Sequence, residues 1–317
     1  MLLWIVVKLY DGNQGFFILI FPMNNFQQAA HRGDFLITAE VAPPKGADAS
    51  HMLEMAQKLQ NRVHAVNITD GSRAVMRMTP LVASVLLMRV GIEPVYQITC
   101  RDRNRIGLQA DLLGAQALGI KNILALTGDP IKAGDYPNAK AVFDLESVRL
   151  LKLIGQLNSG NDDNGKPLPD AGTSFFPGAA VDPQSKSWSG LTSRYEKKIA
   201  AGAQFFQSQL ISDFEILDKF MTQIAAQYQK PVLAGIFLLK SAKNADFINR
   251  YVPGVNIPQA TIDRLAKSSQ PLQTGIEIAA EQVRIAKTMC QGVHMMAVRR
   301  EDLIPQILDL ADIEAVS

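Results

Sequence analysis

Short apolar segments alternate with longer amphipathic segments along almost the whole chain after Phe35. Eight of the short segments have the length and composition of β-strands, and most are followed by a stretch with helical periodicity. The predicted strands are residues 36–40, 63–68, 94–99, 122–126, 173–176, 204–211, 232–237 and 293–297. Repeated strand–helix units with apolar strands are typical of parallel sheets covered by helices.

Eight such units in about 280 residues favour closure into a (β/α)₈ TIM barrel. An open, doubly wound α/β sheet is the alternative, but no Gly-x-Gly-x-x-Gly sequence follows the first strand, which disfavours its dinucleotide-binding form. We find no internal repeat and no linker in the 317 residues. The sequence therefore predicts a single domain.

The first part of the chain needs a separate interpretation. Residues 1–22 are apolar but are interrupted by polar residues, among them Lys8 and Asp11, so neither half is long enough to span a membrane. No small-residue cleavage pattern follows, which disfavours a signal peptide. We interpret this segment as an N-terminal extension outside the fold, with the functional barrel beginning at Met23 and covering residues 23–317. A packed N-terminal strand is the alternative.

Charge and cysteine content disfavour several function classes. The formal net charge is +2, so we expect no binding to nucleic acid or to an anionic membrane. Cys100 and Cys290 are the only cysteines, which argues against a disulfide scaffold and fits a reducing, cytoplasmic location. The four histidines lack metal-ligand spacing, so we expect no metal site.

Functional side chains of a (β/α)₈ barrel gather at the carboxyl ends of the strands. Glu40 and Asp129 are carboxylates at two of these ends, and Gln209 lies near a third. Two carboxylates at one mouth can act as a proton donor and a fixed negative charge when their surroundings differ. Each residue has a structural alternative: a solvated strand end, a turn residue and a buried amide, respectively. We interpret His294 as a packed strand histidine. The other polar residues at predicted strand ends are Thr69, Asp70, Gln97, Thr99, Arg299 and Arg300.

Five short segments resemble the methylenetetrahydrofolate reductase family. They are AEVAPPK at 39–45, NITDG at 67–71, LTGDP at 126–130, GAQFFQSQ at 202–209 and VNIP at 255–258. Each segment is weak alone, but their order and their positions at successive strand ends are jointly specific. The resemblance runs from about Phe35 to Ile307, which is nearly the whole chain beyond the extension.

The family resembled consists of flavin-bearing barrels that reduce 5,10-methylenetetrahydrofolate to 5-methyltetrahydrofolate. FAD is the cofactor, NADH or NADPH the electron donor, and the shared flavin face implies ping-pong kinetics. The resemblance implies that Glu40 is the general acid in opening the folate ring and that Asp129 favours the cationic iminium. It implies that Gln209 binds the pterin or the reductant and that Arg300 contacts the substrate. The implied cofactor contacts are Thr69, Tyr96, Thr127, Gly128, Asp129, Ala180, Val181 and Lys198, the last facing the flavin's diphosphate.

Some residues depart from the family pattern. Ala42, Thr127 and Val181 replace a frequent aromatic, arginine and tyrosine, which loosens the expected flavin contacts. Residues 100–105 and 111–115 resemble a branch in which some members receive electrons from a partner protein. One alternative is therefore a flavin- and folate-binding subunit of a larger electron-transfer complex. A non-redox folate-binding methyl-transfer module is another, disfavoured because no zinc-ligating cysteine cluster exists. We expect a homo-oligomer.

Overall fold

The computed structural model describes residues 5–11, 14–20, 25–170, 172–252 and 254–316. Strands β1 (Ile5–Asp11) and β2 (Gln14–Ile20) pair antiparallel in a two-stranded sheet of their own. The backbone of these two segments is therefore strand, in a sheet separate from the main one. Met23, where we predicted the functional chain to begin, lies outside the described residues.

The other strands form the main sheet. They are β3 (Leu36–Val41), β4 (Ala65–Ile68), β5 (Pro94–Thr99), β6 (Asn122–Leu126), β7 (Phe176–Val181), β8 (Phe205–Leu210), β9 (Val232–Phe237) and β10 (Gly292–Met296). All neighbours in this sheet are parallel, and β10 pairs with β3 to close it, with His294 opposite Thr38. The predicted (β/α)₈ barrel is confirmed, and the open doubly wound sheet is excluded.

Helices surround the barrel. They are α1 (Asn25–Arg32), α2 (Ser50–Gln57), α3 (Pro80–Arg89), α4 (Arg105–Ala117), α5 (Ser147–Asn158), α6 (Trp188–Ala200), α7 (Phe214–Gln223), α8 (Ala242–Tyr251), α9 (Gln259–Lys267), α10 (Pro271–Lys287) and α11 (Ile304–Leu310). None of the helices within the described ranges is long and apolar enough to cross a bilayer.

Local sequence explains where several helices begin and end. The side chains of Asn104, Ser187, Asp213 and Ser241 accept backbone N–H groups in the first turns of α4, α6, α7 and α8. Each such cap stabilises a helix by about 1 kcal/mol. Gly119, just after α4, has a φ of 85° in the left-handed region, where glycine is favoured at the end of a helix. These caps set where the helices after β5, β7, β8 and β9 begin, and so how long the loops before them are.

The lower barrel interior is apolar and closed. One residue from most strands contributes to a buried cluster of Leu36, Ala65, Val95, Leu124, Phe176, Phe205 and Leu233. Phe26 of α1 inserts into this cluster, with its ring centroid 5.0 Å from that of Phe205. The carboxylate of Glu93 accepts the backbone N–H groups of Asn25 and Phe26 at 2.8 and 3.3 Å, which anchors the start of α1. The amino-terminal end of the barrel is thus plugged, and a ligand site must lie at the other end.

Candidate active site

Above the apolar plug, the barrel interior becomes polar. Successive side chains of a strand point to opposite faces, so interior positions recur at every second residue. Leu36 lies in the plug, and the interior positions that follow on β3 are Thr38 and Glu40. Phe205 is likewise followed on β8 by Gln207 and Gln209. The same strands therefore carry apolar residues at the bottom and hydrogen-bonding residues towards the carboxyl end.

Glu40 lies at the boundary between this polar layer and the mouth. Its side chain is 27% exposed, and its Oε2 is 3.8 Å from Nε2 of His294. His294 is buried, at 4% exposure, and its Nδ1 lies 2.9 Å from Oγ1 of Thr38. A carboxyl group open to the mouth on one side and facing an imidazole on the other is able to exchange a proton with a bound ligand.

Two amides complete the buried layer. Asn67 donates from Nδ2 to Oε1 of Gln207 at 2.7 Å, and Gln207 donates from Nε2 to Oδ1 of Asn67 at 3.0 Å. Gln207 Nε2 also donates to Oγ1 of Thr38 at 3.0 Å. These side chains are buried, so their hydrogen bonds satisfy polar groups that water does not reach. The layer is a rigid floor beneath Glu40.

Asp129 is held at the rim by the turn after β6. Its carboxylate is exposed, and Oδ2 accepts the backbone N–H of Arg73 at 2.6 Å. Gly128 has a φ of 96°, and a Cβ at this position would lie 2.9 Å from Cβ of Arg101 and 3.1 Å from Cβ of Thr99. Only glycine therefore lets this turn approach the end of β5 so closely. The charge of Asp129 faces the solvent side of the mouth.

Thr127 makes a structural hydrogen bond and also lines a cavity at the rim. Its Oγ1 accepts the backbone N–H of Ser147 at 3.1 Å, at the start of α5. A cavity of about 490 Å³ is lined by Thr127 and Gly128 together with the chain before α5 and Arg149. Two of the predicted cofactor contacts thus lie beside one cavity next to Asp129.

A second cavity brings four predicted site residues together. Its volume is about 180 Å³, and its lining includes Ala180, Val181, Lys198 and Gln209. Lys198 donates from Nζ to the backbone oxygen of Ala180 at 2.7 Å. Burial lowers the pKa of Lys198, and the nearby positive charge of Arg194 lowers it further. The Lys198 side chain of α6 is therefore fixed against the end of β7.

The charges around this second cavity suit a phosphate group. Lys198 and Arg194 line it together with one carboxylate, Asp182, so two cations and one anion face the same small space. On the interior face, β7 carries Gly178 and Ala180 above Phe176; the ring of Phe205 packs directly on Gly178, so Ala180 is the small residue that β7 presents nearest the mouth. Within the described chain, Oγ1 of Thr69 is buried and has no hydrogen-bond partner, so it is free to bind a ligand atom.

Two predicted contacts do not face the mouth. Tyr96 is completely buried in the layer between barrel and helices, where burial raises the pKa of its hydroxyl. Its side chain thus points away from the barrel interior, and the interior position beside it is Gln97, at 6% exposure; the predicted contact of Tyr96 with the cofactor stays a prediction. The side chain of Val181 also packs in the outer core, so it reaches the cavity only from the strand end.

Arg300 lies apart from both cavities. It forms an ion pair with Asp302, with Nε 3.1 Å from Oδ1, in the loop after β10. The Arg300 side chain is about one third exposed, so it remains accessible at the carboxyl end of the barrel. Its predicted role as a substrate contact stays a prediction.

Sequence reasoning missed most of the buried polar layer. It identified the interior residues nearest the mouth, Glu40, Thr69 and Gln209, but not their partners two residues earlier. The missing signal is a polar residue at every second position of an otherwise buried strand, as in Thr38 and Gln207. Arg194 and Asp182, which line the second cavity, follow no such pattern. Within the described ranges, no three His, Cys, Asp or Glu residues are grouped to hold a metal ion.

Comparison with known proteins agrees with this architecture. The family described as methylenetetrahydrofolate reductase matches residues 25–312. The protein named methylenetetrahydrofolate reductase 1 of Schizosaccharomyces pombe is 24% identical, over 85% of this chain and 45% of that protein. A Caenorhabditis elegans protein named probable methylenetetrahydrofolate reductase (NADPH) is 24% identical, over 72% of this chain and 33% of its own length.

A bacterial relative is covered more fully. The 5,10-methylenetetrahydrofolate reductase of Pectobacterium carotovorum is 25% identical, over 88% of this chain and 91% of that protein. The chain thus spans less than half the length of the fungal and nematode relatives and almost all of the bacterial one. Because the family match extends over most of the barrel and its rim, the chain belongs to the methylenetetrahydrofolate reductase family.

Proposed function

We propose that this chain reduces 5,10-methylenetetrahydrofolate to 5-methyltetrahydrofolate, with FAD as cofactor and NADH or NADPH as electron donor. One observation carries the proposal: Glu40, Asp129 and Gln209 come from three different strand ends at the same, carboxyl end of one closed barrel. Family membership supports the reaction, and the name of the C. elegans relative supports a nicotinamide donor. The proposal assigns the activity to residues 23–317 and none to the extension.

The cofactor assignment rests on the chemistry of the rim. The cations of Lys198 and Arg194 would hold the diphosphate, and the unpartnered hydroxyl of Thr69 would bind a polar edge of the ring. The small side chain of Ala180, near the end of β7, would let the ring lie close to the backbone there. When bound, FAD supplies hydride transfer, first as acceptor and then as donor.

The protein side chains would then divide the remaining work. Glu40 would transfer its carboxyl proton to the folate nitrogen that leaves when the five-membered ring opens. Asp129 would hold a negative charge near the iminium cation formed by that opening, and so would lower its energy. Gln209, exposed at the end of β8, would hydrogen-bond the pterin. Because Glu40 lies below the two rim residues, the reacting part of the folate would enter the mouth first.

An anaerobic absorption experiment tests the proposal. The purified chain is incubated with FAD, desalted, and mixed first with NADH or NADPH and then with 5,10-methylenetetrahydrofolate. We expect bound flavin, bleaching on addition of the nicotinamide and return of colour with the folate. A colourless protein that takes up no flavin would contradict the proposal and favour a non-redox folate-binding module.

One further outcome separates the electron donors. Bound flavin that NADH and NADPH leave oxidised, but that dithionite bleaches and the folate then reoxidises, would contradict the nicotinamide donor. The folate reaction would stand in that case, and a partner protein would have to supply the electrons.

A further inference from the structure

The buried layer beneath Glu40 is a continuous set of hydrogen bonds. Gln207 Nε2 carries two hydrogens, which it donates to Oδ1 of Asn67 and to Oγ1 of Thr38. Oγ1 of Thr38 is therefore an acceptor from Gln207, and its own hydrogen is available for another partner. Nδ1 of His294 lies 2.9 Å away and can accept that hydrogen.

The direction of the hydrogen bond between Thr38 and His294 is linked to the tautomer of His294. With Thr38 as the donor to Nδ1, the neutral imidazole carries its proton on Nε2. Nε2 is the atom that lies 3.8 Å from Oε2 of Glu40. We infer that His294 is a positioning residue for Glu40, held as the Nε2–H tautomer by the relay from Asn67 through Gln207 and Thr38.

This arrangement stabilises the carboxylate that Glu40 becomes after it has given up its proton. It rests on the proposed function, in which Glu40 gives its proton to a folate nitrogen and is left as a carboxylate. The distance of 3.8 Å exceeds that of a hydrogen bond and shortens as the charge forms, because a charged acceptor attracts an N–H more strongly. The His294 proton stays on Nε2, so no second proton moves. The buried floor also stops the Glu40 side chain from turning down into the barrel.

The tautomer is measurable without cofactor or substrate. Long-range ¹H–¹⁵N NMR of the histidine-labelled chain should show His294 protonated on Nε2 and bare on Nδ1, with a His294→Gln spectrum for assignment. His64 is an internal reference, because its Nδ1 accepts the backbone N–H of Ile37 at 3.0 Å and so requires the same tautomer. A proton on Nδ1 of His294 would overturn the inference.

A matched pair of variants tests the effect on Glu40. Thr38→Ser keeps the hydroxyl, and Thr38→Val removes it while keeping the shape. We expect Thr38→Val to slow reoxidation of the flavin by the folate at least tenfold and to add an Nδ1–H signal for His294. Thr38→Ser should stay within about twofold of the wild type, and flavin reduction should be unchanged in both.

A double variant separates positioning from general damage. His294→Leu should slow the folate half-reaction at least as much as Thr38→Val, and the combination should add nothing further, because both changes break one relay. Additive losses, or equal rates for the two Thr38 variants, would overturn the inference. If the wild type fails to reduce the folate at all, the proposed function fails, and the tautomer measurement alone decides the positioning role.

Discussion

Glu40 is the residue on which the proposed reaction depends most directly. We expect Glu40→Gln to keep reduction of the flavin by the nicotinamide but to slow folate reduction by about 10²–10⁴-fold, because an amide cannot supply the proton. Stopped-flow measurement of the two half-reactions separates these effects. Glu54→Gln, on the exposed surface of α2, is the matched control and should leave both rates unchanged. Normal folate turnover in Glu40→Gln would remove this residue from the mechanism.

Asp129 combines a rim charge with a turn contact. Asp129→Asn keeps an oxygen that can accept the N–H of Arg73 but removes the negative charge. We expect slower folate reduction, by about tenfold for each 1.4 kcal/mol of lost stabilisation, and a more positive flavin potential. Potentiometric titration and the folate half-reaction measure the two effects, with exposed Asp246→Asn as the control. If neither quantity changes, Asp129 serves only the turn.

Strand ends were predictable from the sequence, whereas the face of each side chain was only partly so. Glu40 and Gln209 could be placed at one end of the barrel because strand order and loops are visible in the pattern. The face on which Tyr96 lies could not be read from the sequence, since β5 is buried on both faces and has no polar–apolar alternation. His294 was correctly interpreted as a packed strand residue, but its partner Thr38 comes from the first strand of the barrel.

At the scale of elements, the strands with branched residues were predicted best. The predicted ranges 94–99, 122–126 and 232–237 match β5, β6 and β9. The predicted strand 173–176 was wrong, because β7 reads Phe-Pro-Gly-Ala-Ala-Val and is defined by pairing with its neighbours rather than by propensity. α8 did not stand out in the sequence, since it buries only Ala245 and Ile248, whereas its large apolar residues Phe247 and Tyr251 are exposed.

The helix α1 that plugs the barrel is expected to dock in a pH-dependent way. Burial raises the pKa of Glu93 to about 7 from 4.5, against the opposing hydrogen bonds from Asn122, Phe26 and Asn25. Between these values the folded state holds more protons than the unfolded state, so the free energy of unfolding falls as the pH rises from 4.5 to 7. Above that window the loss is complete, and it amounts to about 3 kcal/mol.

Denaturant unfolding of the wild type and Glu93→Gln at pH 5 and pH 8 measures this effect. The wild type should lose stability relative to Glu93→Gln as the pH rises, because glutamine keeps hydrogen-bonding atoms and does not ionise. The difference between the two proteins cancels the titration of all other groups. A difference in unfolding free energy that stays constant with pH would show that Glu93 is ionised throughout and that its N–H donors outweigh burial.

Across the whole molecule, the two ends of the barrel do different work. The amino end holds Phe26, Phe176 and Phe205 in an apolar plug, and the carboxyl end holds the polar residues of the candidate site. The buried polar layer between them joins strands that are distant in sequence, for example β3 with β8 and β10. Stability and function are thus separated along the barrel axis, as is usual for this architecture.

Because a ligand at the carboxyl end of the barrel binds only the folded protein, flavin binding is measurable as a change in the stability of the entire chain. A ligand that binds only the folded state stabilises it by about 2.7 kcal/mol at one hundred times its Kd. FAD should therefore raise the unfolding temperature, and FMN, which lacks the diphosphate, should raise it less at equal concentration.

Lys198→Ala should remove most of the difference between FAD and FMN, because Lys198 lines the cavity proposed to hold the diphosphate. Lys197→Ala is the matched control, since the neighbouring side chain is exposed and lies outside the cavity lining. Equal shifts with both flavins in the wild type would place the diphosphate elsewhere, whereas equal shifts in the two lysine variants would exclude Lys198 from cofactor binding.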